Sequence, residues 1–205
     1  MAVRSLRIVV LVIVAFAAGL LLARLIAPSK VEPPQTERAT VFPAARAVPA
    51  LDLVDQDGKP LGPDFFKGHW TLVFFGFTQC PDVCPTTLTT LAEAMKQLGP
   101  DADRVQGVFV TVDPERDTAE LLKQYVPAFD PRFVGLRGDA AQTEAVAKEF
   151  RIIFQKVPGR TPETYTVDHS AGIFLFDPAG RLRVYEGHGQ PPDVLAHDLR
   201  LLLES

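Results

Sequence analysis

Cysteine is nearly absent from this chain: 205 residues carry two, Cys80 and Cys84. Any disulfide within the chain must therefore join these two. None follows the N-terminal apolar run, which excludes a lipoprotein attached at that point. Basic charge is short as well. The 21 Lys and Arg include Arg4, Arg7 and Arg24, leaving 18 beyond residue 27 against 25 Asp and Glu, a net charge of −7 for the body. An acidic body has no footprint for phosphate backbones, so no nucleic-acid partner is expected. Histidine appears four times, which leaves few candidates for imidazole chemistry. No internal repeat is visible.

What the N-terminus does have is an apolar run. From Ile8 to Ala23 no side chain is polar, and the apolar character resumes after Arg24 through Ala27. The run approaches the roughly 20 residues that span a bilayer, with Arg24 placed to snorkel to the interface. Basic residues ahead of it put the N-terminus on the cytoplasmic side and the rest of the chain across the membrane. Residues 1–27 are thus expected to be a transmembrane anchor, or alternatively a signal segment. No clean small-x-small cleavage site follows, which favours the anchor. The stretch PSKVEPPQTERATVFPAARAVPA (28–50) has five prolines and little apolar pattern. Residues 28–47 are read as a Pro-rich tether and residues 48–205 as the domain it carries; fully extended, 23 residues reach at most ~70 Å.

The body alternates strand and helix. LDLVD (51–55) reads as a strand into a turn, TLVFFGF (71–77) and VQGVFVTV (105–112) as strands buried on both faces. A helix is expected from Pro85, with Leu88, Leu91, Met95 and Leu98 on one face and Gly99-Pro100 ending it. Helical patterns cover 117–126 and 139–150, IIFQKV (152–157) reads as a strand, and 172–177 with 181–186 as a hairpin. A last amphipathic helix spans 192–203. The expected fold class is α/β: a thioredoxin-like fold, with a central mixed sheet flanked by helices and a single membrane helix before it.

The cysteines stand four apart where a buried strand gives way to a helix. A structural disulfide is the poorest of three readings. It closes a short loop, and Cβ atoms at i and i+4 of a helix lie ~5–6 Å apart, beyond the roughly 3.5–4.5 Å a bridge wants. The unpaired N–H groups and positive dipole end of a helix N-terminus lower a thiol pKa, although Asp82 opposes this. Both cysteines are therefore expected to be reactive, as a redox dithiol or as soft-metal ligands. A metal site needs a third ligand. His69 precedes a strand in a turn, His188 lies between glycines in a loop, and His197 reads as a surface residue of the last helix. His169 stands before a strand expected to neighbour the one bearing the cysteines, which makes it the candidate.

FFGFTQCPDVCPTT (74–87) and YTVDHSAGIFLFDPAG (165–180) together closely resemble the Sco/SenC family, the assembly factors for the copper A centre of cytochrome c oxidase. The resemblance covers about residues 48–203 and the anchor in general design. It implies a thioredoxin-like domain binding one copper ion per chain, Cu(I) or Cu(II), through Cys80, Cys84 and His169. Two functions follow from it. One is a membrane-anchored metallochaperone that delivers copper to the oxidase; the alternative is a thiol–disulfide oxidoreductase that reduces the cysteines of the oxidase copper site first. The implied partners are the oxidase subunit carrying the copper A site, a thioredoxin-like reductant and a copper donor protein. The implied place is the bacterial inner membrane, single-pass, with the domain on the periplasmic side. VTVDPERDT (110–118) also resembles a family stretch, with Asp113 and Asp117 either assisting the site or bonding within their loop. Asp168 is a candidate to orient the His169 ring, or else caps nearby backbone.

Overall fold

The run of apolar residues from Trp70 to Gly76 forms the central strand, and all seven of its residues are buried. In the computed structural model the described residues are Phe16, Gly19, Thr36, 38–161 and 164–204. The chain divides into two units, residues 1–32 and 33–205; the fold below is that of the second. The anchor expected over residues 1–27 lies almost wholly outside the described residues. Among those described, no helix is long and apolar enough to cross a membrane.

In chain order the second unit runs β1 (Thr40–Ala47), β2 (Val54–Asp55), β3 (Trp70–Gly76), α1 (Val83–Leu98), a 3-10 segment (Gly99–Arg104), β4 (Val105–Thr111), α2 (Ala119–Tyr125), β5 (Phe133–Arg137) and α3 (Ala140–Phe150). It continues with β6 (Phe154–Val157), β7 (Thr166–His169), β8 (Gly172–Phe176), β9 (Arg181–Gly187) and α4 (Pro192–Leu203). Seven strands make one mixed sheet in the order β1-β9-β8-β3-β4-β5-β2, while β6 and β7 form a separate two-stranded sheet. β3, β4 and β5 are parallel, joined by helical crossovers, and β8 is antiparallel to β3 with Leu72 opposite Leu175. Strands so placed are covered on both faces, which explains why they are mainly apolar and show no two-residue alternation.

α1 buries the expected stripe of Leu88, Leu91, Met95 and Leu98. It starts two residues earlier than expected, at Val83, because Pro85 falls within the first turn, where its missing N–H breaks no helical bond. Asp139 caps α3 and accepts from the Gln142 N–H, and the Gln142 side chain returns the bond to the Asp139 N–H. Phe74, Phe75, Phe109, Phe133 and Phe176 fill the core between sheet and helices.

Three strands were not anticipated. β5 is short, and its apolar pattern is interrupted by Gly135, where an added Cβ would come 3.2 Å from Leu122 and from Val126. β7 precedes the expected 172–177 strand. The third corrects the tether. Residues 40–47, assigned to it, form β1 and pair antiparallel with β9, Thr40 opposite Tyr185 and Ala47 opposite Arg181. A bulge between Val41 and Arg46 breaks the alternation and accommodates Pro43, which only an edge strand tolerates. The segment at 51–55 is strand only at Val54–Asp55.

Candidate metal centre

β3 delivers the chain to the carboxyl edge of the sheet, where Phe77 is still buried and the N–H of Cys80 closes a turn onto the Phe77 carbonyl at 3.2 Å. α1 then begins, placing Cys84 in its first turn. The N–H of Cys84 donates to Cys80 Sγ at 3.4 Å, so a backbone donor left open by the helix start is spent on sulfur. Cys84 is fully buried and its sulfur sits against Gly76, where an added Cβ would lie 2.7 Å from Sγ. Glycine at 76 makes the space for that sulfur.

His169 ends β7, and after Ser170 and Ala171 the chain enters β8, the antiparallel neighbour of β3. That pairing brings position 169 to the edge where β3 ends. His169 Nε2 lies 3.5 Å from Cys84 Sγ. Its Nδ1 is 3.0 Å from the Ser170 carbonyl oxygen, which can only accept, so Nδ1–H donates and Nε2 keeps its lone pair toward the sulfurs. Burial lowers the imidazole pKa and keeps the ring neutral, against a smaller opposing pull from the Ser170 bond and Asp168. Phe74 and Phe77 present their rings edge-on to it, at 6.3 and 5.9 Å between centroids. Both cysteines are free thiols, Cys80 half-buried and Cys84 buried.

Among the described residues these three form a group with metal-ligand geometry: the two sulfurs and one ring nitrogen all lie within 4.8 Å of one another. Donors on a shared metal, at about 2.3 Å for sulfur and 2.0–2.1 Å for nitrogen, stand roughly 4 Å apart at open angles. A closure of under about 1 Å would seat an ion. Two soft sulfurs with one imidazole suit zinc or copper far better than a hard cation.

The other sequence candidates fall into place differently. His69 is exposed before β3 and His197 exposed on α4. His188 is exposed as well, but lines the same cleft as Cys80, Asp82, Asp168 and His169. The ring of His169 is oriented by the Ser170 carbonyl and not by Asp168, which is exposed. Asp117 accepts from Thr78 N–H at 3.0 Å, from Thr78 Oγ1 at 2.6 Å and from Thr111 Oγ1, so it ties its own loop to the start of the cysteine loop. The expected lowering of thiol pKa is reversed at Cys84: burial pushes it well up, and the neighbouring Cys80 adds to this. Desolvation outweighs the helix end, because the sulfur is inside the protein rather than at its surface. Gly76 and Ser170 had no distinctive signal in the sequence; Gly76 matters through the space it leaves, and Ser170 through its carbonyl on His169 Nδ1 and its Oγ, which accepts from the Ile153 N–H at 3.1 Å.

A thioredoxin-like α/β domain with a Cys–Cys–His cluster where its central strand meets a helix is thus a metal- or redox-active member of that fold class. The SCO1/SenC family profile matches residues 42–204, and the chain belongs to that family. It is 36% identical over 200 residues to the mitochondrial SCO2 homolog of Mus musculus, covering 96% of this chain and 78% of that one. Among solved structures it is similar to ScoI of Bradyrhizobium japonicum with copper bound, at 42% identity and a TM-score of 0.68, covering 75% of this chain and 98% of the other. It is also similar to yeast Sco1 with copper bound, at 28% identity and a TM-score of 0.71, covering 78% and 90%.

Proposed function

We propose that this protein binds one copper ion through Cys80, Cys84 and His169 and delivers it to the copper A site of cytochrome c oxidase during assembly. The observation that carries the reading is the meeting of two sulfurs and a neutral imidazole within 4.8 Å, from segments 85 residues apart. Copper-bound relatives of the same family support the choice of metal. Two thiolates and an imidazole give net charge −1 with Cu(I) and zero with Cu(II). Sulfur favours the first and imidazole the second, so the centre holds either state without burying a large charge. Cys84 gives up its proton as metal binds, His169 offers Nε2 without losing one, and half-buried Cys80 is the sulfur that an acceptor reaches first.

Residues 1–27 would hold the domain on the periplasmic face of the bacterial inner membrane, near the oxidase subunit that receives the ion. A copper donor protein supplies it, and a thioredoxin-like reductant keeps the pair reduced, since exported compartments oxidise thiols. A second reading is a thiol–disulfide oxidoreductase acting on the oxidase cysteines. It is favoured by two free thiols, one of them only half-buried.

His169→Ala separates the two. It should abolish tight Cu(II) binding and leave a redox-competent dithiol. Oxidase assembly should fail in cells carrying either His169→Ala or Cys80→Ser. Assembly that survives the histidine change but not the cysteine change would overturn delivery and leave the reductase.

A further inference from the structure

The arm that carries His169 is not woven into the main sheet. β6 and β7 pair only with each other, with Phe154 opposite His169. Placing an imidazole against two sulfurs from such an arm needs something to hold it, and the polar contacts on its free side converge on the loop 113–116. Arg116 Nη1 donates to the Tyr165 carbonyl at 2.8 Å and to Gln79 Oε1 at 3.2 Å. Its Nε donates to Asp113, and the Tyr165 hydroxyl donates to the other oxygen of the same carboxylate at 2.7 Å. The guanidinium carbon lies 3.6 Å from the centre of the Tyr165 ring and 5.8 Å from that of Phe77. Lys156 of β6 adds a contact with the same ring at 4.8 Å and an ion pair with Glu115 at 2.7 Å.

Gln79 is the residue before Cys80, and Tyr165 is the residue before β7. One guanidinium therefore touches both halves of the centre, the loop bearing the sulfurs and the arm bearing the imidazole. Arg116 and Asp113 are both largely shielded from water, with side chains 15% and 0% exposed, so the bond between them is little weakened by solvent, while the Gln79 contact lies at the surface. Nη2 of Arg116 is buried with no hydrogen-bond partner among the described residues. An orphaned donor lowers stability, which argues that the guanidinium is kept for what it joins.

We infer that Arg116 is a positioning residue for the metal centre: it clasps the His169 arm to the Cys80 loop and sets the separation between imidazole and sulfur. Asp113 holds the clasp closed by binding Arg116 and Tyr165 together. Cu(I) is satisfied by two thiolates, whereas Cu(II) draws on the imidazole. Opening the clasp weakens Cu(II) and leaves Cu(I) nearly untouched. This copper consequence rests on the proposed function; the mechanical one does not.

The test uses the full chain, reduced, with Arg116→Ala, Arg116→Lys and Tyr165→Phe. Amide hydrogen exchange at residues 166–169 of the metal-free protein reads the clasp alone, and should quicken in Arg116→Ala. Titration with Cu(II) and chelator competition for Cu(I) read its consequence. Arg116→Ala should lose about 10- to 100-fold in Cu(II) affinity, as removal of a ligand-orienting partner does, with a diminished nitrogen hyperfine coupling in the Cu(II) spectrum and Cu(I) affinity unchanged. Lysine, which keeps the charge but not the fork, should fall between. Tyr165→Phe removes one hydroxyl and keeps the ring, so it should show the same pattern in milder form and carries the test if Arg116→Ala does not fold. Unchanged exchange at 166–169 in the folded variants would overturn the clasp, as would equal losses for Cu(II) and Cu(I). Quickened exchange in Arg116→Ala together with a wild-type chain that binds no copper would support the clasp and sink the copper reading.

Discussion

Glutamine in place of Glu186 should remove a pH dependence from the stability of the domain. Glu186 sits in β9, fully buried, and both its carboxylate oxygens lack a hydrogen-bond partner among the described residues. The carboxylate of Asp198 in α4 is close enough to repel it; Asp198 is itself buried and lies 3.4 Å from the backbone nitrogens of Arg38 and Ala39. Burial first, then that negative neighbour, raises the Glu186 pKa from 4.5 to about 7. A raised carboxyl pKa means the folded protein holds a proton that the unfolded chain has released. Stability from this group is therefore full below pH 4.5 and is lost as the pH rises to about 7. At about 1.4 kcal/mol per pH unit, the interval amounts to roughly 3 kcal/mol. Urea unfolding of the metal-free, reduced protein across pH 4.5–8.5 reads it directly. Wild type should lose roughly that amount between pH 5 and pH 8 relative to Glu186→Gln, whose amide stays neutral throughout. A constant offset between the two curves is expected from the change in polar atoms; only the difference in slope is diagnostic. Parallel curves would show that Glu186 keeps its ordinary titration and that the buried pair costs nothing.

Two further outcomes concern the sulfurs. Gly76→Ala places a Cβ 2.7 Å from Cys84 Sγ and 2.9 Å from the Phe109 ring, an overpacking that should cost about 1–3 kcal/mol in thermal or urea denaturation and weaken metal binding; wild-type values for both would refute the packing account. Because Cys84 is buried with a raised pKa, iodoacetamide should label Cys80 well before Cys84 in the reduced protein, as followed by peptide mass spectrometry, and copper loading at pH 7 should release at least one proton. Equal labelling or no proton release would contradict that burial.

That Cys80, Cys84 and His169 come together was legible by type and place: two cysteines four apart, and of four histidines the one beside the strand expected to neighbour the cysteine-bearing strand. Buried strands such as β3 and β4 were legible because parallel strands covered on both faces carry consecutive apolar residues, LVFF and VFV, in place of a two-residue alternation. β1 was not, since TVFPAARA contains a proline and its bulge erases the two-residue period, so the strand shows only when β9 is there to pair with it. The environment of Cys84 escaped for a related reason. A helix N-terminus is visible in sequence, but whether its second residue points inward depends on where Gly76 lies across the turn. Arg116 belongs to a visible motif, VDPERD, in which the aspartates drew notice. Its role depends on Tyr165, 49 residues away, and no local pattern links the two.

The direction of β1 has a consequence for reach. β1 starts at Thr40 opposite Tyr185 and runs away toward Arg181, whereas β9 runs the other way and hands over to His188 at the rim of the metal cleft. The polypeptide therefore joins the domain at the same pole as the sulfurs, three strand spacings from β3, or about 14 Å. Under the proposed membrane attachment, a leash entering at that pole turns Cys80, Cys84 and His169 toward its own root; entering at the far pole, it would have to loop around the domain first. On the same proposal the segment ahead of Arg38, whose backbone nitrogen with that of Ala39 lies against Asp198 of α4, sets the radius over which the centre can meet a partner, and lengthening it would widen the search volume while diluting the effective concentration at any one receiver.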